Sequence, residues 1–254
     1  NLLHEAIPIT GTIVSGTYGG NNIKNYTHGM FQSVYDYPYL SSSANHIFDL
    51  TVGYGSSSGL SSSANTQNAK KINIYNEMAQ VLAGFDQNGV VRAFDEDGDL
   101  SQGTKINEAL FFNFTRLLAK DEIKKGSFSL ELGVDADYTT PDKETVLITD
   151  ASGSTGYKVN SPAGEYGILF AKDGTGSPMV AAYGTVGMPC GLLYYQAGIA
   201  VLSASLFEDI AAGPDYCVMV PHLDSPTNPA RLASLMLSLL ALLFPARVTI
   251  FATA

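Results

Sequence analysis

The stretch that most constrains this chain is 107–134, NEALFFNFTRLLAKDEIKKGSFSLELGV. Leu110, Phe112 and Phe114 point to one side of an extended backbone while Phe111, Asn113 and Thr115 point to the other, the period of a strand with a heavily apolar face. Past Leu117 the period is lost in a charged run that closes at Gly126, which predicts a short helical elbow capped by that glycine. Beyond it Phe128, Leu130, Leu132 and Val134 alternate with Ser127, Ser129, Glu131 and Gly133, a second half-buried strand. Two strands joined by an exposed elbow are expected to seed a sheet.

Composition supports a β reading of the rest. Hydrophobic residues make up 45% and charged residues only 15%, so the polar surface has to come from Ser, Thr, Asn, Gln and Gly. Exposed helices, whose outer faces are normally filled by Lys and Glu, are disfavoured. With 25 Gly, 14 Tyr, 12 Phe and no Trp the balance moves further toward strands. The formal net charge of −10 and the lack of a basic stripe argue against nucleic acid as a partner.

In chain order, residues 1–30 read as an extended glycine-rich arm with at most one strand, at 9–14. The first residues lack a basic region followed by an apolar run, so no signal peptide is expected. Residues 45–54 predict a strand whose core face is Phe48, Leu50, Val52 and Tyr54. The Ser- and Gly-rich stretch 55–68 predicts a solvated loop, and 69–85 a helix with Tyr75, Met78, Leu82 and Phe85 on its buried stripe. Residues 145–149 predict a short strand, 150–156 a turn, 166–171 and 178–183 a hairpin turning at 172–174, and 192–195 with 199–202 a second hairpin. The end is broken by Pro214, Pro221, Pro226 and Pro229 and carries an uncharged run at 232–246. At about 15 residues this run falls short of the roughly 20 that span a bilayer, so a buried or subunit-interface helix is expected first and a membrane contact second.

The expected fold is therefore mainly β: an antiparallel sheet or sandwich-like assembly with one central helix and a candidate C-terminal helix. Its expected parts are an N-terminal arm (1–30), a β-rich domain (31–208) and a proline-broken, leucine-rich tail (209–254).

The sequence assigns no catalytic, cofactor-binding or metal-ligating residue. His4, His28, His46 and His222 have no second ligand at metal-binding spacing, and no nucleophile elbow, Walker loop or dinucleotide fingerprint is present. Asp95, Asp97 and Asp99 invite a calcium reading, but the sixth loop position is Leu100 and the twelfth Ile106, so the stretch is expected to be an acidic surface turn. Cys190 and Cys217 are expected to be buried thiols. Glu131 with Asp135 is the acid pair a glycosidase would need, and Tyr35, Tyr37, Tyr39, Tyr194 and Tyr195 are the rings a carbohydrate-binding or adhesive module would present.

One resemblance runs through 30–208. Tyr54-Gly55, then Ile74-Tyr75, Arg116, Lys124-Lys125-Gly126, the alternation 128–132 and the hairpin 192–202 follow one another in an order that resembles virion structural proteins of contractile-tailed (myovirus-type) phages of cyanobacteria and other marine bacteria. The resemblance implies a non-enzymatic component of the virion, in tail or baseplate, without a cofactor. Its implied partners are other virion proteins and further copies of itself. The leucine-rich end departs from that pattern, and the resemblance implies nothing for 209–254.

Overall fold

The computed structural model describes residues 4–8, 23–26, 30–35, 39–59, 61, 66–98, 103–115, 118, 122–133, 145–173, 175–177, 186–207 and 247–253. Among them the strands are β1 (His4–Pro8), β2 (Ile23–Asn25), β3 (Gln32–Tyr35), β4 (His46–Tyr54), β5 (Glu108–Asn113) and β6 (Phe128–Gly133). They continue with β7 (Thr145–Thr149), β8 (Lys158–Ser161), β9 (Gly164–Asp173), β10 (Met188–Tyr194), β11 (Ile199–Ser203) and β12 (Arg247–Thr253). Among the described residues the one long helix is α1 (Thr66–Leu82). All strands join a single antiparallel sheet in the order β1-β12-β6-β7-β9-β10-β11-β5-β4-β3-β2, with β8 hairpinned onto the start of β9. The mainly-β, antiparallel expectation is what the chain adopts.

The sheet curls. Phe114, just past β5, meets Phe128 of β6 edge to face at 5.8 Å, although four strands separate β5 from β6 along the sheet. The enclosed face carries Phe48, Leu50, Leu110, Phe112, Leu130, Ile148, Leu169, Leu193, Tyr195 and Leu202. The opposite face holds a second apolar layer, in which Ala109, Phe111, Leu192, Tyr194 and Val201 pack under Tyr75, Ala79 and Leu82 of α1. Burying a large apolar side chain contributes about 1.5–3 kcal/mol, so α1 and the two-layered packing of β5 are mutually stabilising. Gly53 of β4 allows the close approach, because a Cβ there would lie 2.9 Å from both the Phe111 ring and the Tyr75 backbone nitrogen.

Several local expectations are corrected by this architecture. The strands β5 and β6 form as predicted but do not pair, so they are not a sheet seed; β5 lies between β4 and β11 and β6 between β7 and β12. In the elbow, 122–127 are not helical. Ser127 N donates to Lys124 O (3.2 Å) across a tight turn, and Gly126 takes the φ of +77° that such a turn requires. The helix starts at Thr66, inside the expected loop, and ends before Phe85, which is 52% exposed. Gly84 N donates to Ala79 O (2.9 Å), closing the helix, whose last residue is Leu82, before Phe85 is reached. Within the expected solvated loop, Ser58 is buried.

β9 pairs with β7 and β10 and runs through Lys172 and Asp173, where the turn was expected; the expected second hairpin strand, 178–183, lies outside the described residues. At the N-terminus the strands are β1 and β2; 9–14 lies outside the described residues. β1 pairs with β12, and β12 with β6, so both ends of the chain enter the sheet. The leucine-rich run 232–246 lies outside the described residues.

Candidate functional site

The buried ionisable groups Lys71, Asp150 and Asp95 are where unusual chemistry would be housed. Lys71 projects from α1 and donates to Met30 O (3.1 Å), a carbonyl that Thr51 Oγ1 of β4 also reaches. Burial lowers its ammonium pKa to about 8.

Asp150 follows β7 directly. Gly126 N donates to its Oδ2 (2.7 Å), Phe128 N to its Oδ1 (2.9 Å) and the Tyr195 hydroxyl to Oδ2 (3.2 Å). Burial raises this carboxyl above the ordinary range, against the downward pull of those donors. Beside it, Lys125 Nζ bonds Glu122 (2.8 Å) and Glu165 (2.6 Å) and lies over the Tyr157 and Tyr195 rings at 5.2 and 5.3 Å. Burial works against the Lys125 ammonium, but the two glutamates outweigh it and hold the group charged, so it is no nucleophile. The Tyr195 hydroxyl, raised by burial and then by Asp150, stays a donor. This constellation can hold three chain segments together, and every one of its groups is engaged in doing so.

Asp95 lies opposite Lys105 across an isolated antiparallel bridge, and Lys105 Nζ contacts its Oδ2. Burial holds the Asp95 carboxyl above its usual range; Lys105 pulls it down and Asp97 pushes it up. The expected acidic surface turn is thus corrected: Asp97 is exposed but Asp95 is fully buried, and Asp99 lies outside the described residues.

A fourth arrangement has the residue types of a hydrolytic triad in the wrong order. Asp49 Oδ1 is shared by His46 Nε2 (2.7 Å) and Ser33 Oγ (2.5 Å), with Tyr26 Oη 3.3 Å from Ser33 Oγ. Nucleophilic activation needs the imidazole between hydroxyl and carboxylate. Here the carboxylate stands between, so Ser33 has no base and the chain ties β3 to β4.

Of the other residues weighed from the sequence, Tyr194 and Tyr195 are wholly buried on opposite faces of the sheet and cannot offer stacking surfaces. Tyr35 and Tyr39 are half-buried with ring centroids 6.1 Å apart, and Tyr37 lies outside the described residues. Glu131 accepts a hydrogen bond from Thr145 Oγ1 (3.0 Å), while Asp135 lies outside the described residues. Cys190 is a buried free thiol, and burial pushes its pKa well up; Cys217, His28 and His222 lie outside the described residues, and His4 stands in β1. Among the described residues no group of three or more His, Cys, Asp or Glu is placed to hold a metal ion, and no helix is long and apolar enough to cross a membrane.

Sequence reasoning missed Asp150, Lys71 and the Asp95–Lys105 pair. For Asp150 a local signal existed: an acid at a strand end followed by Ala-Ser-Gly, a segment with few side chains of its own to satisfy nearby amides. Compared with protein-family models, with curated proteins and with solved structures, the chain matches none.

Proposed function

We propose that this chain is a non-enzymatic structural component of a contractile-tailed phage virion, in tail or baseplate, acting through contacts with copies of itself and with other virion proteins. The observation that carries the reading is an apolar rim where α1 ends. Val81, Phe85, Val90 and Val159 are all more than half exposed. They belong to one neighbourhood: Phe85 bridges Val91, Asp86 N donates to Val90 O (2.8 Å), and Ser161 Oγ of β8 donates to Leu82 O. Clustered apolar side chains in water favour a partner that covers them. The saturation of Asp150, Lys125 and Asp49 by structural partners supports a holding role over a reacting one, and the net charge of −10 supports protein rather than nucleic-acid contacts.

Sedimentation of the full chain tests the reading. The expected result is an oligomer that Val81→Asp with Val159→Asp converts to a folded monomer, and detection of the chain in purified particles. A wild-type chain that stays monomeric at high micromolar concentration and is absent from particles overturns it. Truncation after Glu208 would not serve, because it removes β12 from between β1 and β6.

A further inference from the structure

Asp95 and Lys105 are directly opposed residues of an antiparallel bridge, so their side chains leave the backbone on the same side a strand spacing apart. Phe94, next to Asp95, is fully buried in the layer beneath α1, where its ring meets Tyr75, Phe111 and Tyr194 edge-on. That packing fixes the backbone carrying Asp95. Lys105 Nζ contacts Asp95 Oδ2, while Asp97 N approaches Asp95 Oδ1 (3.4 Å) and the Asp97 carboxyl hydrogen-bonds the same group. Gly103 makes room for the pair of acids: its φ is +83°, and a Cβ there would lie 2.9 Å from Asp97 Oδ2 and 3.2 Å from Asp95 Oδ1.

An ion pair with one wholly buried partner is a poor stabiliser, since desolvation offsets the attraction. Burial instead favours the protonated carboxyl at Asp95. A carboxylic acid and an amine held in contact by packed backbone have the constitution of an amide plus water, and such positioning replaces a bimolecular encounter with a unimolecular step. Asp97 supplies what remains, an exposed carboxylate next to the reacting groups to carry protons.

We propose that Asp95 and Lys105 become joined by an intramolecular isopeptide bond, formed by the chain itself with Asp97 as proton carrier. Asp97 takes a proton from the Lys105 ammonium. The freed lone pair on Nζ attacks Cγ of the protonated Asp95, forming the C–N bond. The Cγ–OH bond then breaks, with Asp97 returning a proton to the departing oxygen, which leaves as water. Overall an ammonium and a carboxylic acid yield a secondary amide, one water and one proton released to solvent. No oxidant or reductant takes part. The cross-link pins the segment whose Phe94 packs into the layer beneath α1, and it stands whether or not the chain belongs to a virion.

Denaturing intact-mass spectrometry of the full chain tests this. The expected mass lies one water below the sequence mass, and a digest is expected to yield a branched peptide linking the segments that hold Asp95 and Lys105. Lys105→Arg, which keeps the charge, and Asp95→Ala each restore the full sequence mass. Asp97→Asn, folded as judged by circular dichroism, slows the appearance of the deficit about a hundredfold or more. A wild-type chain of full sequence mass whose Lys105 amine is labelled after unfolding overturns the proposal, leaving an ion pair. A deficit that maps to other residues overturns it as well, and one that forms at the wild-type rate in Asp97→Asn overturns the role given to Asp97.

Discussion

Asp150 and Asp173 accept the same set of hydrogen bonds in opposite settings. Each takes two backbone amides and one hydroxyl: Gly126, Phe128 and the Tyr195 phenol for Asp150; Thr175, Ser177 and the Thr175 hydroxyl for Asp173. Yet the Asp150 carboxyl is raised and the Asp173 carboxyl lowered. In both, burial is the largest influence and acts upward. At Asp150, sealed between turns, burial wins; at Asp173, at the open end of β9, the Thr175 hydroxyl and the amides of Ser177 and Thr175 prevail. The donors set what a carboxylate can hold, and access to water decides whether holding it favours the charged form.

The two sites differ also in reach. Asp173 bonds residues two and four positions on, so it shapes a local turn. The partners of Asp150 lie 24, 22 and 45 positions away, so it ties the Lys124–Ser127 turn, the start of β6 and the residue after β10 to the end of β7. Asp150→Ala is therefore expected to have the larger effect. It strands two amides at a buried site, a loss of about 4 kcal/mol, read as a fall in denaturation midpoint with an unchanged slope. The sign of its pH dependence is unusual for an acid. Because the folded carboxyl holds its proton to higher pH than the unfolded one, the stability gap between wild type and Asp150→Ala is widest below the ordinary carboxylate range. It narrows as pH rises through the folded value. A gap that widens with pH would contradict the burial argument.

The next largest effect comes from glycine. At Gly167 of β9 a Cβ would lie 2.1 Å from Tyr195 Oη, and at Gly153 2.3 Å from the same atom. Gly167→Ala forces the Tyr195 ring off Asp150 at a cost of about 2–3 kcal/mol. The double variant Gly167→Ala, Tyr195→Phe is expected to regain part of that loss. If it does not, the clash is not at the hydroxyl.

What could be read from the sequence follows the same division between local and distant. β4, β5 and β6 were legible because alternation is a property of neighbours, and the hairpin of β10 and β11 because Gly198 marks its turn with a φ of +64°. The strand order was not legible: nothing in 107–134 says that four strands will come between its two halves. Tyr194 and Tyr195 show the physical reason for one error. Adjacent residues of a strand face opposite ways, so a sheet wet on one side exposes one of them; here α1 and Phe94 pack on the outer face, and both are buried. Asp95 shows another. An acidic run is normally solvated, but the bridge to Lys105 draws its first member under the sheet's outer layer, and Lys105 is ten residues away.

The smallest effect is the one that isolates the comparison. Asp173→Ala removes three hydrogen bonds at a site where water replaces them, so a cost of about 0.5–1.5 kcal/mol is expected. Its pH dependence should be the reverse of that at Asp150. The folded Asp173 carboxyl loses its proton at lower pH than the unfolded one, so its contribution is present above the ordinary carboxylate range and is lost as pH falls through the folded value. Wild type and Asp173→Ala should converge in acid, where wild type and Asp150→Ala stand furthest apart. Denaturation of the three chains between pH 2 and 7, at about 0.1 M salt where exposed charges more than about 10 Å apart are largely screened, measures both trends. If the two gaps move in the same direction with pH, burial is not what separates these carboxylates and the difference must lie in their donors.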